Sequence, residues 1–285
     1  MDAKWLGALP IDGIREIQEV RGGDVNQTYR LKGDNKDYFL LVQAQRNEAF
    51  FASEIAGLHA FEASGIRAPK VIASGTIEND AYLVLEYLEE GQGSQKELGK
   101  LVARLHKQHS ANGQFGFHLP HHGAAISFDN QWTSSWSELF VERRLDGLRD
   151  ALVTKGRWTP KEVKQYEAVR HHILTKLAEH KCEASLLHGD LWSGNFMFLA
   201  DASPALFDPS PFYGDREFDI GITTVFGGFN QEFYDAYQAA YPLESGWQER
   251  IKYYRLYLLM VHLDKFGTTY ALSVERELAD ILADK

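Results

Sequence analysis

A single cysteine, Cys182, is present among the 285 residues of the sequence. One cysteine excludes a disulfide within the chain and a zinc site built from several cysteines, and it fits a reducing compartment. Long apolar runs are also missing, because the longest, "LYLLMV", is far shorter than the roughly 20 residues of a membrane-spanning helix. The first residues, "MDAKWLGALP", lack the basic and apolar regions of a signal peptide. We therefore expect a soluble, cytoplasmic protein with no membrane partner.

Positive charge is in deficit, since 30 lysines and arginines face 40 aspartates and glutamates, for a formal net charge of −10. Proteins that bind nucleic acids or anionic membranes need a basic surface that neutralises phosphates, so we expect neither partner. The sequence contains no repeat and no low-complexity tract, and its 44% of hydrophobic residues is typical of a globular protein. The length allows one large domain or two lobes.

Strand patterns dominate the first ninety residues. The runs "TYRL", "YFLLVQ" and "AYLVLEYL" are rich in β-forming residues and predict three strands. Between the second and third runs, Phe51, Ile55 and Leu58 recur at helical spacing, and Gly65 stands where the helix would end. This part of the chain therefore predicts strands, one helix, and further strand.

Helical patterns follow the glycines of "EEGQGS", which mark a break. Apolar residues over 98–105 predict one face of a helix, and Thr159 with Glu162 forms the capping box of another. A third long helix is predicted across "RIKYYRLYLLMVHLDKFG". We therefore predict an N-terminal lobe over residues 1–90 and a C-terminal lobe over residues 91–285.

A cluster of polar residues stands between two apolar runs in "LLHGDLWSGNFMF", residues 186–198. The runs "NFMFL" and "PALFD", joined by "ADAS", predict an antiparallel hairpin that sets Asn195 opposite Asp208, with Asp190 in a turn just upstream. Oxygen ligands of this kind suit magnesium, which takes one or two protein ligands and completes its shell with water and nucleotide phosphates. We predict magnesium on Asn195 and Asp208, with Asp190 as the catalytic base. The alternative is a polar hairpin end with helix-capping residues.

The stretch "RGGDVNQTYR" carries Gly22, Gly23 and Asp24 ahead of the first predicted strand. Residues without a Cβ allow backbone N–H groups to approach a polyphosphate closely. A glycine pair before a strand is, by itself, more typical of an ordinary turn. The phosphate-binding interpretation therefore depends on the aspartates and asparagine described above.

These residues together resemble the fructosamine kinases, or ketosamine-3-kinases, whose protein-kinase-like fold is shared with aminoglycoside phosphotransferases and choline kinases. The resemblance covers nearly the whole chain and depends on "RGGDVNQTYRL", "NQWTSSWSELFVERRL", "HGDLWSGN", "DPSPFYGDREFD" and "FGGF". It implies an α+β fold with a small N-terminal antiparallel-sheet lobe that carries one helix and binds nucleotide. The larger, mainly helical C-terminal lobe would carry catalysis and the substrate site. The implied activity is ATP- and magnesium-dependent phosphorylation of a sugar hydroxyl on a small-molecule or protein-bound ketosamine, a repair of glycated amines.

The resemblance also implies roles for individual residues. Asp190 is similar to the family's catalytic base, Asn195 and Asp208 are similar to its magnesium ligands, and Asp219 is similar to the aspartate that supports the catalytic loop. His188 is expected to orient that loop. The nucleotide side comprises the backbone between the lobes, which holds adenine, and the glycine pair with its neighbour: Glu86, Tyr87, Leu88, Gly22, Gly23 and Asp24.

One position departs from the family pattern. Kinases of this type pair a lysine on the third strand with a helix glutamate to hold the α- and β-phosphates. Glu54 matches the glutamate, but Leu41 stands where the lysine is expected. Three interpretations remain open: weaker ATP binding with retained chemistry, a substitute cation such as Lys36 or Arg46, or a protein that binds nucleotide without transferring phosphate. The catalytic aspartates and asparagine favour retained chemistry.

Aromatic residues and Asp215 are the candidates for the acceptor side. Trp132, Trp136 and Phe140 repeat every four residues, which ordinarily indicates a buried helix face, although Trp132 or Trp136 could stack on a sugar. Trp192 is favoured for that role because it lies inside the "HGDLWSGN" loop. Asp215, in "FYGDREFD", is also expected in the substrate site.

Two further alternatives stay open. His106 and His109, with the histidines of "HLPHHG", could be metal ligands, but no zincin-type motif accompanies them, and helix-end or loop histidines are the simpler interpretation. A kinase for an aminoglycoside-like or choline-like acceptor would have the same phosphate machinery. Only the acceptor pocket separates that activity from ketosamine phosphorylation.

Overall fold

The computed structural model describes residues 3–20, 26–122 and 127–283, and the chain divides into two compact units. Unit 1 contains the residues up to Ser94 together with Phe196–Pro209. Unit 2 contains Gln95–Asn195 and Ser210–Lys285. The hairpin within Phe196–Pro209 therefore groups with the N-terminal strands, although it lies far beyond the predicted break at residue 90.

The secondary structure is mainly strand in unit 1 and mainly helix in unit 2. In chain order, the strands are β1 (Ile14–Glu19), β2 (Gln27–Gly33), β3 (Asp37–Gln43), β4 (Val71–Ile77), β5 (Asp80–Glu86), β6 (His121–His122), β7 (Ser127–Phe128), β8 (Ser185–Leu187), β9 (Phe196–Phe198), β10 (Pro204–Leu206) and β11 (Phe212–Gly214). The α-helices are α1 (Ala3–Gly7), α2 (Ala52–Ala63), α3 (Gln95–His106), α4 (Asp146–Thr154), α5 (Pro160–Glu179), α6 (Glu217–Thr223), α7 (Gln231–Ala240), α8 (Trp247–Phe266) and α9 (Ala271–Ala283). Across the described ranges, none of these helices combines the length and apolarity that crossing a bilayer requires.

Unit 1 is built on a five-stranded antiparallel sheet in the order β1-β2-β3-β5-β4, with α2 between β3 and β4 in the chain. The runs predicted as strands are β2, β3 and β5, so the predicted N-terminal antiparallel sheet is confirmed, while unit 1 contains α1 as well as the one predicted helix, α2. Leu40 and Val42 of β3 pack into a core cluster with Trp5 and Leu9. Because successive side chains of a strand point to opposite faces, Leu41 lies on the other face of the sheet.

The β-hairpin formed by β9 and β10 has a different register from the predicted one. Phe196 pairs with Leu206, whereas a hairpin with Asn195 opposite Asp208 would pair Phe196 with Phe207. The physical reason is the turn, in which Leu199 N donates to Ser203 O and Ala202 adopts a φ of +64°. These features make a three-residue loop with a left-handed last residue, not the four-residue "ADAS" loop.

Close contact between α6 and α8 organises unit 2. A Cβ atom on Gly221 of α6 would lie 2.6 Å from the Cβ of Tyr254 on α8, so only glycine allows the two helices to approach this closely. The Arg250 guanidinium on α8 donates two hydrogen bonds of 2.7 Å to the buried Glu217 carboxylate at the start of α6. The pair satisfies two charges that would be costly to bury separately.

The segment that follows Trp132 and Trp136 and leads into α4 is not an ordinary α-helix. Glu138–Leu145 is π-helical and continues directly into α4. Trp136 and Phe140 are buried as the four-residue spacing predicts, and their rings stack with centroids 5.4 Å apart. Trp132 lies before the helix and is only partly buried.

The predicted helices of unit 2 are confirmed as α3, α5 and α8. The capping box is also confirmed, because Thr159 Oγ1 accepts a hydrogen bond from Lys161 N and Thr159 N donates to Glu162 Oε2 at 2.8 Å. Pro160 occupies the first helical position, where its missing N–H costs nothing. Local sequence signals therefore fix the start of this 20-residue helix.

Replacing Thr159 with alanine is expected to destabilise unit 2 by about 1 kcal/mol, because the α5 N-terminus loses a side-chain acceptor. The melting temperature of the protein should fall by about 2–4 °C. Thr175→Ala is the matched control, since Thr175 is an exposed residue within α5 whose hydroxyl donates to the His171 carbonyl. Differential scanning calorimetry of both variants should show a loss for Thr159→Ala alone, and equal melting temperatures would contradict the capping role.

Candidate active site

The polar loop after β8 holds Asp190 and Asn195 in direct contact. Asn195 is buried, and its Nδ2 donates to the Asp190 backbone oxygen at 2.8 Å and to Asp190 Oδ2 at 3.1 Å. The amide nitrogen is therefore committed to Asp190. Oδ1 is the atom that Asn195 can offer to a cation. The five-residue spacing in the sequence thus produces an aspartate oriented by an asparagine.

The buried carboxylate of Asp219 supports this loop through hydrogen bonds. Asp219, at the start of α6, accepts hydrogen bonds from His188 N at 2.7 Å and from Gly189 N at 2.9 Å. His106 Nε2 lies 3.1 Å from the same Asp219 oxygen that His188 N contacts, and His106 Nδ1 lies 2.8 Å from the Tyr237 hydroxyl. The predicted supporting role of Asp219 is confirmed. His106 is a buried structural residue in this network.

Gly189 and His188 give the loop its shape. Gly189 has a φ of +81°, and a Cβ atom there would lie 1.8 Å from the Ser210 backbone oxygen, so glycine is required on both grounds. Ser210 N in turn donates to His188 O at 2.8 Å. The Asp190 N–H points at His188 Nδ1, at 3.3 Å. His188 therefore orients the loop, as predicted.

Asp208, the second predicted magnesium ligand, lies in unit 1 just after β10. It is exposed and adopts a φ of +55°. A non-glycine residue in the left-handed region costs free energy, and such residues cluster at functional sites. A carboxylate and a carboxamide oxygen are hard donors of the kind magnesium prefers, so the chemistry of the donor set fits this metal.

Leu41, where the family's lysine is expected, lies within β3, and Glu54, the predicted partner of that lysine, lies on α2. Leu41 pairs with Thr28 on β2 and with Leu83 on β5, and only 7% of it is exposed. On α2, burial and the Asp208 charge raise the pKa of the Glu54 carboxyl well above its ordinary value. Glu54 therefore lies in an environment that would gain from a positive charge.

The two candidate substitute cations lie at the ends of β3. Lys36 precedes the strand, and its ammonium lies 5.3 Å from the centroid of the Tyr38 ring. Leu41 follows Lys36 by five residues, which span about 16 Å in a strand. The Lys36 side chain is too short to reach Leu41. Arg46 follows the strand, with its guanidinium 5.9 Å from the Phe50 ring centroid. Neither of these two cation–ring contacts involves Glu54.

The predicted adenine segment follows the end of β5. The Glu86 carboxylate forms a two-point ion pair with Arg67, which lowers the pKa of Glu86. The Arg30 guanidinium lies over the Tyr87 ring, 4.2 Å from the ring centroid. Both side chains are occupied within unit 1, and Glu86 N donates to Lys70 O at 2.8 Å, so the predicted adenine contact would fall on the other backbone groups of Glu86, Tyr87 and Leu88. The phosphate-loop residues Gly22, Gly23 and Asp24 lie outside the described residues.

Comparison with known proteins agrees with this arrangement. Residues 7–284 match the family model described as fructosamine kinase. The chain belongs to the fructosamine kinase family. It is 57% identical to a probable ketoamine kinase of Staphylococcus aureus, over 100% of this chain and 99% of that protein.

Solved structures support the fold of this fructosamine kinase family member. A Thermobifida fusca protein provisionally named as a fructosamine-3-kinase superposes with a TM-score of 0.84 at 27% identity, covering 95% of this chain and 94% of that one. A thermostable mutant of an aminoglycoside phosphotransferase superposes with a TM-score of 0.69 at 12% identity, covering 99% and 98%. The two-lobed protein-kinase-like fold class predicted from the sequence is therefore confirmed.

The three tryptophans predicted on the acceptor side of this family member differ in accessibility. Trp192 is 40% exposed, and a Cβ atom on Gly194 would lie 2.2 Å from its ring, so the indole covers the loop backbone. Trp132 is partly buried, with its ring 5.8 Å from that of Tyr213. Trp136 is 5% exposed and its ring is covered by neighbours in the core. Trp192 and Trp132 therefore remain the candidates for sugar stacking.

Asp215 is buried in a polar network within unit 2. Its Oδ2 lies 2.8 Å from His180 Nε2 and accepts a 2.7 Å hydrogen bond from the Tyr254 hydroxyl. Burial alone would raise the pKa of the Asp215 carboxyl, but the His180 hydrogen bond and charge lower it. Cys182 Sγ lies within 4.8 Å of both a His180 ring nitrogen and an Asp215 carboxylate oxygen. These residues lie next to a cavity of about 160 Å³. These contacts support the fold, and a substrate contact for Asp215 stays a prediction.

Two buried residues, Arg144 and Tyr257, were not predicted from the sequence, and Tyr257 lies within electrostatic reach of Asp190. Arg144, in the π-helical segment, is 1% exposed and donates to Asn130 Oδ1 at 2.7 Å. Burial lowers its pKa to about 10. Burial raises the pKa of Tyr257 on α8 to about 12, with the Arg144 charge opposing and the Asp190 charge adding to the rise. Tyr257 therefore places α8 within electrostatic reach of Asp190, which periodicity alone could not have shown.

Proposed function

We propose that the protein transfers the γ-phosphoryl group of ATP to a sugar hydroxyl of a ketosamine. The observation that supports this most strongly is the pair of Asp190 and Asn195 on a loop that Asp219 anchors, in a chain of the fructosamine kinase family. The probable ketoamine kinase of Staphylococcus aureus shares the whole length of this chain. A sugar hydroxyl bound at this loop is the acceptor that fits both observations.

Asp190 accepts a hydrogen bond from the acceptor hydroxyl and aligns its oxygen with the phosphorus atom. Phosphoryl transfer has a loose transition state, so positioning and charge screening provide most of the rate acceleration. Asn195 keeps the Asp190 carboxylate in one orientation through its Nδ2 contact. The hydroxyl proton passes to Asp190 as the bond to phosphorus forms.

Asn195 and Asp208 are the residues that would hold magnesium, through Oδ1 and the carboxylate. Magnesium, when bound, neutralises charge on the phosphate oxygens. The backbone of Glu86, Tyr87 and Leu88 would hold adenine, and Gly22, Gly23 and Asp24 would approach the phosphates. The phosphorylated ketosamine is then expected to decompose and release its amine, which would repair glycated amines.

The decisive experiment measures ADP formation with magnesium and ATP, with and without fructoselysine. We expect ADP release to require the ketosamine and phosphate to appear on the sugar by mass spectrometry. Aminoglycoside and choline acceptors are tested in parallel, and a glycated peptide tests protein-bound adducts. ADP release with one of the other acceptors and none with fructoselysine would overturn the ketosamine assignment. Tight ATP binding without transfer to any acceptor would favour a nucleotide-binding protein that lacks kinase activity.

Asp208→Asn is expected to weaken magnesium-dependent ATP binding by about tenfold, because a charged ligand becomes neutral. Asparagine tolerates the left-handed backbone at this position, so the fold should be preserved. Asp201→Asn is the matched control, since Asp201 is an exposed aspartate in the turn of the same hairpin. Calorimetric titration of ATP with and without magnesium is the measurement, and unchanged magnesium-ATP affinity in Asp208→Asn would contradict the ligand assignment.

A further inference from the structure

Four aromatic rings form a partly exposed cluster in unit 2, which we call the aromatic patch: Phe226, His262, Phe266 and Tyr270. His262 is central, with ring centroids 4.7 Å from Phe226, 5.0 Å from Tyr270 and 5.3 Å from Phe266. Phe226 is 40% exposed and Phe266 is 43% exposed. Large aromatic rings that are grouped together yet open to solvent are typical of binding surfaces.

The loop that carries Phe226 touches the catalytic loop. A Cβ atom on Gly228 would lie 2.2 Å from the Ser193 Cβ, and Gly228 has a φ of +89°, so this close approach depends on glycine. Gln95 Nε2 also fixes the loop by donating to the Gly228 backbone oxygen at 3.0 Å. Ser193 lies next to the exposed Trp192. The "FGGF" motif therefore joins the aromatic patch to the loop of the catalytic base.

Helix α8 provides a second connection between the patch and Asp190. The side chain of Tyr257 interacts electrostatically with Asp190, and His262 follows five residues later on the same helix. Five residues rise about 7.5 Å along a helix axis. Five residues also turn about 140° around that axis, so helix α8 runs from the surroundings of Asp190 to the patch with Tyr257 and His262 on different sides of the helix.

The chemistry of a ketosamine suits aromatic rings joined to the Asp190 loop through the Gly228–Ser193 contact. Its amine nitrogen is attached to the first carbon of the sugar, so the amine substituent projects a few bond lengths away from the ring hydroxyls. The nitrogen of an alkyl-substituted amine carries a proton at neutral pH, and aromatic faces attract cations. His262 Nδ1 donates to the Leu258 backbone oxygen at 2.9 Å, because a carbonyl can only accept, and this hydrogen bond fixes the orientation of the ring in the patch.

We propose that the aromatic patch is the subsite for the amine side of the ketosamine, where Phe226 and Phe266 contact the protonated amine and its alkyl substituent. This inference rests on the proposed function. In this assignment the aromatic patch determines acceptor specificity, while Asp190 selects the sugar hydroxyl that is phosphorylated.

The test compares two acceptors that share one sugar: fructoselysine, with its protonated amine, and an ether analogue in which oxygen replaces that nitrogen. Phe226→Ala and Phe266→Ala should each raise the KM for fructoselysine by about tenfold. The KM for ATP should stay unchanged and kcat should change little. Phe226→Leu and Phe266→Leu keep the apolar volume without an aromatic face. They should lose affinity for fructoselysine and keep wild-type affinity for the ether.

Leu272→Ala is the matched control, because Leu272 is a 65% exposed apolar residue on α9 close in sequence to Tyr270. A KM for fructoselysine in the phenylalanine variants equal to that of Leu272→Ala would overturn the inference. So would equal losses with both acceptors in the leucine variants, since that result indicates packing instead of cation recognition. If wild type phosphorylates no ketosamine, the proposed function itself fails, so the two failures are distinguishable.

Discussion

Asp190→Asn is expected to reduce turnover with fructoselysine by at least about 10²-fold while ATP affinity stays close to wild type. The carboxylate orients the acceptor hydroxyl and takes its proton, and an amide cannot take that proton. The fold should survive, because an amide oxygen can still accept the Asn195 Nδ2 hydrogen bond that now reaches Asp190 Oδ2. Steady-state ADP release and calorimetric ATP titration measure the two quantities separately.

Asp235→Asn is the control for this change, since Asp235 is an exposed aspartate of the same unit, on α7. It should have wild-type turnover. Near wild-type turnover in a folded Asp190→Asn protein would eliminate the assignment of the base. A parallel loss of ATP affinity would instead indicate that Asp190 holds the nucleotide.

Leu41→Lys is expected to tighten ATP binding by about tenfold to a hundredfold, because a charge-assisted contact to phosphate contributes roughly 1.5–3 kcal/mol. The new ammonium would lie on the face of β3 opposite the Leu40 core, where Leu41 is now buried. Burying a charge is costly, so the gain requires Glu54 as a partner. Glu54 is suited to that role, since its pKa is now raised by burial and by Asp208.

A double-mutant cycle of Leu41→Lys and Glu54→Gln isolates this coupling. Glu54→Gln should change little in wild type but should remove the benefit in the Leu41→Lys protein. ATP affinity and turnover are recorded for all four proteins. If wild type already binds ATP tightly and Leu41→Lys weakens it, another cation anchors the phosphates and the alignment of Leu41 with the family lysine is wrong.

The parts of the structure that could be predicted from sequence are those set by local signals. Helix α5 begins at the capping box of Thr159 because the cap satisfies backbone groups within one turn, which a sequence pattern can record. Strand β3 follows from an uninterrupted run of β-forming residues. The Asp190 and Asn195 contact was predictable for the same reason, since only five residues separate the partners.

The features that escaped prediction depend on geometry that composition does not encode. The observed hairpin register differs from the predicted register by one residue. The reason is that Ala202 adopts a left-handed conformation that normally indicates glycine or asparagine. Four-residue spacing of Trp136 and Phe140 cannot distinguish an α-helix from the π-helix that follows Trp136. The aromatic patch joins Phe226 to residues more than thirty positions later, and no local pattern reports such a contact.

The network around Asp219 has a consequence for the order of folding. It links His106 to Tyr237 across 131 positions and His188 to Asp219 across 31. Contacts between distant positions require loop closure before they contribute free energy, so they form late. We therefore expect the catalytic loop to take its final shape only after α3, α6 and α7 have assembled. In a nascent chain, we expect these helices to form before the loop around Asp190 is ordered.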